Sequence, residues 1–161
     1  MQPGKILVSH HEDAYLIKLV GDVRVTLCTS LNNYIEAIFK DGHVSEVVTD
    51  MMDTDAVDST TLGLLAKLAL YCEEHYGIKP TVFCNDESIY QILTVMGLDE
   101  IFNIIQGPHE DDDGYEELSS IESGVEEIRE QVLEAHRLLS LLNDRNQKEF
   151  VDLIHSLEQD C

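Results

Sequence analysis

The segment Asp58-Ser59-Thr60-Thr61-Leu62-Gly63 holds the densest set of hydroxyls and permissive backbone in the chain. It falls where the apolar and acidic run Val47 to Val57 gives way to a helical pattern from Leu62 to Tyr76. A serine there stands at a strand-to-helix junction, beside backbone N–H groups that lack partners and attract negative charge. Two chemistries suit Ser59. Its hydroxyl can cap the helix. It can also accept a phosphoryl group, which adds about −1.5 to −2 charges to the face shown to partners.

Other chemistries find less support. Asp50, Asp53, Asp55 and Asp58 precede the junction, and Asp53-Thr54-Asp55-Ala56-Val57 fits the Asp-x-Asp-x-Thr/Val motif of aspartate-nucleophile phosphatases. That motif is short enough to arise by chance. Lys67 and Lys79 are candidates for its lysine but not compelling ones, Asp111-Asp112-Asp113 lies in a linker, and the chain is short for that fold and its cap. A calcium loop would need a glycine at its tight turn and a terminal glutamate, which this stretch lacks. No Gly-x-x-x-x-Gly-Lys or Gly-x-Gly-x-x-Gly loop follows a strand. No histidine lies in the segment of Ser59 to form a nucleophile–base pair, and the seven histidines read as surface or capping residues. Cys28, Cys72, Cys84 and Cys161 show no Cys-x-x-Cys spacing and read as small buried apolar residues plus one tail thiol. The residues therefore point away from an enzyme, a metal site or a cofactor.

Charge narrows the partners. Ten Lys and Arg stand against 32 Asp and Glu, for a net charge of −22. Nucleic acid and anionic membrane demand the opposite surface, while a basic protein partner would be drawn in faster. No run reaches the ~20 apolar residues of a membrane span, and Met1-Gln2-Pro3-Gly4-Lys5 lacks the apolar stretch of a signal peptide. The expected location is the cytosol.

The elements that must position the junction follow from periodicity. Lys5–Ser9 and Tyr15–Val20 read as strands, with a turn at Gly21-Asp22. Leu27, Leu31, Ile35 and Ile38 recur at helical spacing over Thr26–Lys40. Val44–Thr49 is a compact β-branched strand, and Gly77 stops the helix after the junction. Thr81–Cys84 is a strand, Asn85-Asp86 caps a helix with Ile89, Ile92, Leu93 and Met96, and Ile101–Ile105 is a last strand or turn. The order β-β-α-β-α-β-α-β, with strands expected to be too separated by helices for hairpins, predicts an α/β fold with a mixed sheet and helices packed on it. One domain over 1–105 is followed by an acidic linker, 106–117, and a helical extension, 118–161. In the extension Leu118, Ile121, Val125, Ile128, Val132, Ala135, Leu139 and Leu142 form a heptad seam, which predicts a helix over 118–142. Phe150, Leu153, Ile154 and Leu157 predict a shorter helix over 146–158, completing a hairpin. The seam needs a cover: its own domain, a second copy in self-association, or a partner's helices.

The pattern from Lys5 to Ile105 resembles the STAS domain family, in its branch of bacterial anti-sigma factor antagonists. The carrying residues are Glu46-Val-Val-Thr-Asp50, then Asp58-Ser-Thr-Thr-Leu-Gly63 eight residues after Asp50. They are joined by Ile92-Leu93, Met96-Gly97-Leu98-Asp99 and Ile101-Phe102, which look like the family's closing motif. The resemblance implies a STAS-like sheet and a non-catalytic binding protein. It makes Ser59 the phosphoacceptor, with Thr60 the second choice and Asp58 a neighbour read by the kinase. Asp58, Ser59, Thr60, Thr61, Leu62 and Gly63 together would form the partner-binding segment. The implied partners are an anti-sigma factor, a serine protein kinase, a PP2C-type phosphatase and, in pathways with longer chains, a response regulator. The unphosphorylated form would bind its partner and phosphorylation would release it. Thr61 stands where the family commonly has glycine, and the helical tail is a second departure. The competing expectation is an adaptor that binds through its C-terminal helices, with Ser59 only a helix N-cap.

Overall fold

The computed structural model describes residues 2–107 and 114–159. Its centre is β2 (Ala14–Val23), flanked by β1 (Lys5–His11) on one side and β3 (Glu46–Asp50) on the other. The sheet runs on through β5 (Thr81–Cys84) to β6 (Asn103–Gln106), and on the far edge a two-residue strand, β7 (Glu116–Glu117), pairs with β1. The β2–β3, β3–β5 and β5–β6 pairings are parallel, so helices must connect those strands. They are α1 (Cys28–Phe39), entered by the 3-10 turn Val25–Leu27, α2 (Ser59–Tyr76) and α3 (Glu87–Val95).

Two expectations fail here. β1 and β2 do form an antiparallel hairpin, closed at Glu12-Asp13 with Glu12 in the left-handed region at φ 54°. No glycine marks that turn in the sequence. A further short strand, β4 (Thr54–Val57), was also missed. It lies beyond a bend after β3 and pairs in parallel with the end of β2, Val23 opposite Val57. Four residues carry too little alternation to register in the sequence. This pairing matters, because it delivers Asp58 beside the start of the 3-10 turn.

One apolar core joins sheet and helices. Ile6, Ile17, Leu19, Val47 and Val82 from the strands meet Leu31, Ile35 and Ile38 of α1, Leu62, Leu65, Leu68 and Cys72 of α2, and Leu93 of α3. α1 buries one stripe. In α2 every residue from Thr60 to Ala66 is buried, so that helix is covered on both sides. Gly77, at φ 65°, closes α2 as its left-handed cap, a conformation open to glycine without strain.

The extension supplies the second cover. Its first helix, α4, begins at Val125 and ends at Ser140, not at the expected 118 and 142. Leu118 and Ile121 lie instead in a non-helical stretch after β7 that follows α1, where Ser30 donates to the Ser119 carbonyl and Thr29 bonds Ser123. Gly124 at the N-cap marks where the helix can start. The second helix, α5, spans Asp144–Gln159 and packs against α4, reaching the end of α3 through Asn146. Asn146, wholly buried, donates to the carbonyls of Met96 and Leu139 at 2.7 and 2.9 Å and so bolts both tail helices to the domain. The acidic run Glu110 to Asp113 and the tail thiol Cys161 lie outside the described residues.

Candidate functional site at the start of helix α2

Asp58 is the N-cap of α2, with extended backbone (φ −92°, ψ 170°). Ser59 is the first residue inside the helix, so the expectation that Ser59 is itself the cap is corrected. The aspartate takes that role because its carboxylate serves two elements at once. Oδ1 accepts from the Thr61 N–H at 2.9 Å and the Thr61 hydroxyl at 2.8 Å, and Oδ2 accepts from the Val25 N–H at 2.8 Å. One side chain thereby caps α2 and anchors the turn that opens α1. Its charge also faces the positive end of the α2 dipole.

The threonines differ from what the resemblance implied. Thr60 and Thr61 are 5% and 0% exposed, so neither hydroxyl is presented outward. Thr61 points into the domain, toward Asp58 and the Cys28 sulfur at 3.7 Å. A β-branched residue at this position therefore alters the interior, not the partner face. Replacing Thr61 by glycine removes that hydrogen bond and a buried methyl, with an expected loss of about 2 kcal/mol that thermal unfolding would register. An unchanged Tm would refute the internal role.

Ser59 alone of the hydroxyls remains half-buried. Its Oγ lies 2.7 Å from Nε2 of His136 on α4. The other ring nitrogen, Nδ1, is 2.6 Å from the Val132 carbonyl, an acceptor only. Nδ1 therefore carries the proton, and the Ser59 hydroxyl donates to Nε2. The ring is 2% exposed and stacks edge-on against Phe150 of α5. The reading of the histidines as surface or capping residues is thus wrong for His136. No histidine neighbours Ser59 in sequence, and this one comes from 77 residues away.

The same face of α2 continues the contact. Ser59, Gly63 and Lys67 are spaced four apart and share one side of the helix. At Gly63 a Cβ would stand inside the Ala135 carbonyl, so only glycine permits the two helices to come this close. Lys67 Nζ bridges Asn32 and Glu36 of α1, at 2.9 and 3.0 Å, to Glu134 of α4 at 2.7 Å. Burial opposes its charge, but the two carboxylate bonds outweigh burial and lift the ammonium above its ordinary pKa. On α4 the buried positions are Gln131, Leu133, Ala135, His136 and Leu139, only partly those of the seam, while Val125 is 82% exposed. Leu62 lies at full burial in the core. The six expected site residues are thus contiguous in space, but only Ser59 and Gly63 face outward from the domain, and both meet α4.

Among the described residues no group of His, Cys, Asp or Glu is arranged to hold a metal ion, and no helix is long and apolar enough to cross a membrane.

Two solved structures are similar in fold. One is an anti-sigma factor antagonist from Mycobacterium paratuberculosis, with TM-score 0.54 and 20% identity, covering 63% of this chain and 85% of that one. The other is the anti-sigma factor antagonist SpoIIAA in its unphosphorylated form, with TM-score 0.54 and 12% identity, covering 65% of this chain and 89% of that one. About a third of this chain lies outside each superposition. No curated protein matches. The STAS domain family model matches residues 5–110, which takes in the whole sheet from β1 to β6, α2 and its Asp58 cap, and stops short of α4 and α5. With its mixed sheet, its capped serine at the start of α2 and that match over most of its length, this chain belongs to the STAS domain family.

Proposed function

We propose that the chain is an anti-sigma factor antagonist: a non-catalytic binding protein that engages an anti-sigma factor or serine kinase through the first turns of α2 and is switched by phosphorylation at Ser59. The observation that supports it most is the position of Ser59, the one hydroxyl of the segment that is not fully buried, one residue past a capped helix start in a STAS domain. A kinase would transfer the γ-phosphoryl of ATP to Oγ. The O–P bond forms, the phosphoanhydride bond to ADP breaks, and the hydroxyl proton is released. A PP2C-type phosphatase would hydrolyse the ester, returning serine and inorganic phosphate. The added −1.5 to −2 charges meet the helix dipole, worth roughly 0.3–1 kcal/mol. They also sit against Asp58 and would be desolvated under any partner packed around a neutral hydroxyl, which costs more.

The test has two arms. The intact mass of the protein from its own cells, with fragment mapping over residues 46–67, is expected to show one phosphate on Ser59. Among proteins captured from the same cells, the partner is expected to be retained by Ser59→Ala and lost, by about 100-fold in affinity, from Ser59→Asp. Equal capture by the two variants would sink the switch.

A further inference from the structure

We propose that α4 is a built-in cover for the Ser59 face of α2: the structure is a closed form, and kinase or partner reaches that face only when the α4–α5 hairpin lifts away. This rests on the reading of Ser59 as the switch and adds a gate to it.

Three contacts carry the proposal. The Ser59 hydroxyl is already engaged by His136, whose ring is wedged between α2 and Phe150. Gly63 is in backbone contact with Ala135, so nothing else fits between the helices one turn further on. Lys67 ties Glu134 of the cover to Glu36 of α1. A protein docking on this face must therefore displace α4 rather than add to it.

The cover also responds to the modification. When the ATP γ-phosphoryl is transferred to Oγ, with loss of the hydroxyl proton and release of ADP, three phosphate oxygens must occupy space where the Oγ–Nε2 separation is 2.7 Å. The Asp58 carboxylate, on the adjoining residue, repels the new charge. Phosphorylation thus favours the open form, and the closed form slows phosphorylation. Asn146 to the Leu139 carbonyl and Arg137 to Glu158 join α4 and α5, so the hairpin moves as a unit, and lifting it breaks the Asn146 bond to the Met96 carbonyl.

Hydrogen exchange on the full chain tests the gate. Ser59→Asp is expected to raise amide exchange across α4 at least about tenfold relative to the parent, with β3 and β5 unchanged. Ala135→Leu, which drives a side chain into Gly63 without touching Ser59, is expected to do the same and to raise the phosphorylated fraction of Ser59 in cells. Unchanged or slower α4 exchange in Ser59→Asp overturns the proposal, since His136 would then be holding the charge. Loosening of the sheet together with α4 in both variants also overturns it, because the cover would have no open state of its own. Failure of the switch itself looks different: α4 loosens in both variants, yet Ser59 carries no phosphate under any growth condition.

Discussion

Asp58→Ala is expected to lower stability by about 2–4 kcal/mol, a fall of roughly 5–15 °C in Tm for a chain of this size. The loss has two parts. Removing an N-cap acceptor costs about 0.5–2 kcal/mol, here from the Thr61 N–H at 2.9 Å. Leaving the part-buried Val25 N–H without its acceptor costs a further ~1–3 kcal/mol, since Oδ2 is its partner at 2.8 Å. Asp58→Asn separates them. The amide oxygen can still cap Thr61, but the NH2 group then faces the Val25 N–H, donor against donor. An intermediate loss is expected from asparagine. If alanine costs less than about 0.5 kcal/mol, the value of an ordinary surface change, then Asp58 is not the clasp between α1 and α2, and its place beside Ser59 would have to be explained by partner recognition alone. The two roles differ in consequence. A clasp residue weakens the fold whether or not a partner is present.

The thiols beneath the switch are expected to be almost inert in the folded chain. Cys28, Cys72 and Cys84 are buried to 1% exposure or less. Burial pushes the Cys28 thiol up to about 12; the Thr61 hydrogen bond pulls against this and the Asp58 charge adds to it. Burial alone pushes Cys72 to about 11, and it raises Cys84 as well. Because the thiolate is the nucleophile, a rise of this size cuts the reactive fraction of Cys28 near neutral pH by about 10³ before any steric exclusion is counted. In a Cys161→Ser background, which leaves only these three, labelling by a thiol–disulfide exchange reagent at pH 8 is expected to proceed at the unfolding rate and no faster. A native-state rate within tenfold of a free thiol would contradict the burial. The sign of the pH effect follows. The folded pKa values lie above the unfolded ones, so this contribution to stability is complete below about pH 8.5 and is lost as pH rises toward 11–12, where only the unfolded chain has already shed its protons. Tm should therefore decline on the alkaline side. Since Cys28 touches Thr61, Asp58→Ala is also expected to speed its labelling, linking the two predictions.

The local chemistry of the junction was legible in the sequence for a physical reason. Caps, glycine stops and helical stripes depend on residues within a turn or two of one another, so Gly77, Asp86 and the α1 stripe could be read directly, while the α2 cap fell one residue before the expected Ser59, at Asp58. The strand Thr81–Cys84 emerged with its bounds intact because four β-branched, apolar or small residues stand between clear breakers. The run Leu62-Gly63-Leu64-Leu65-Ala66 read only as part of a helix from Leu62 to Tyr76, which the structure buries on both sides. What covers it was not written there. The heptad seam gave a helix but misplaced its start, because Leu118 and Ile121 lie in the non-helical stretch between β7 and α4. Nor did the seam mark the polar positions Gln131 and His136 as buried, since a polar residue is buried only where a distant partner satisfies it. That partner for His136 is Ser59. A hydrogen bond spanning 77 residues leaves no periodicity, and only the tertiary packing of α4 on α2 brings the serine and the histidine together.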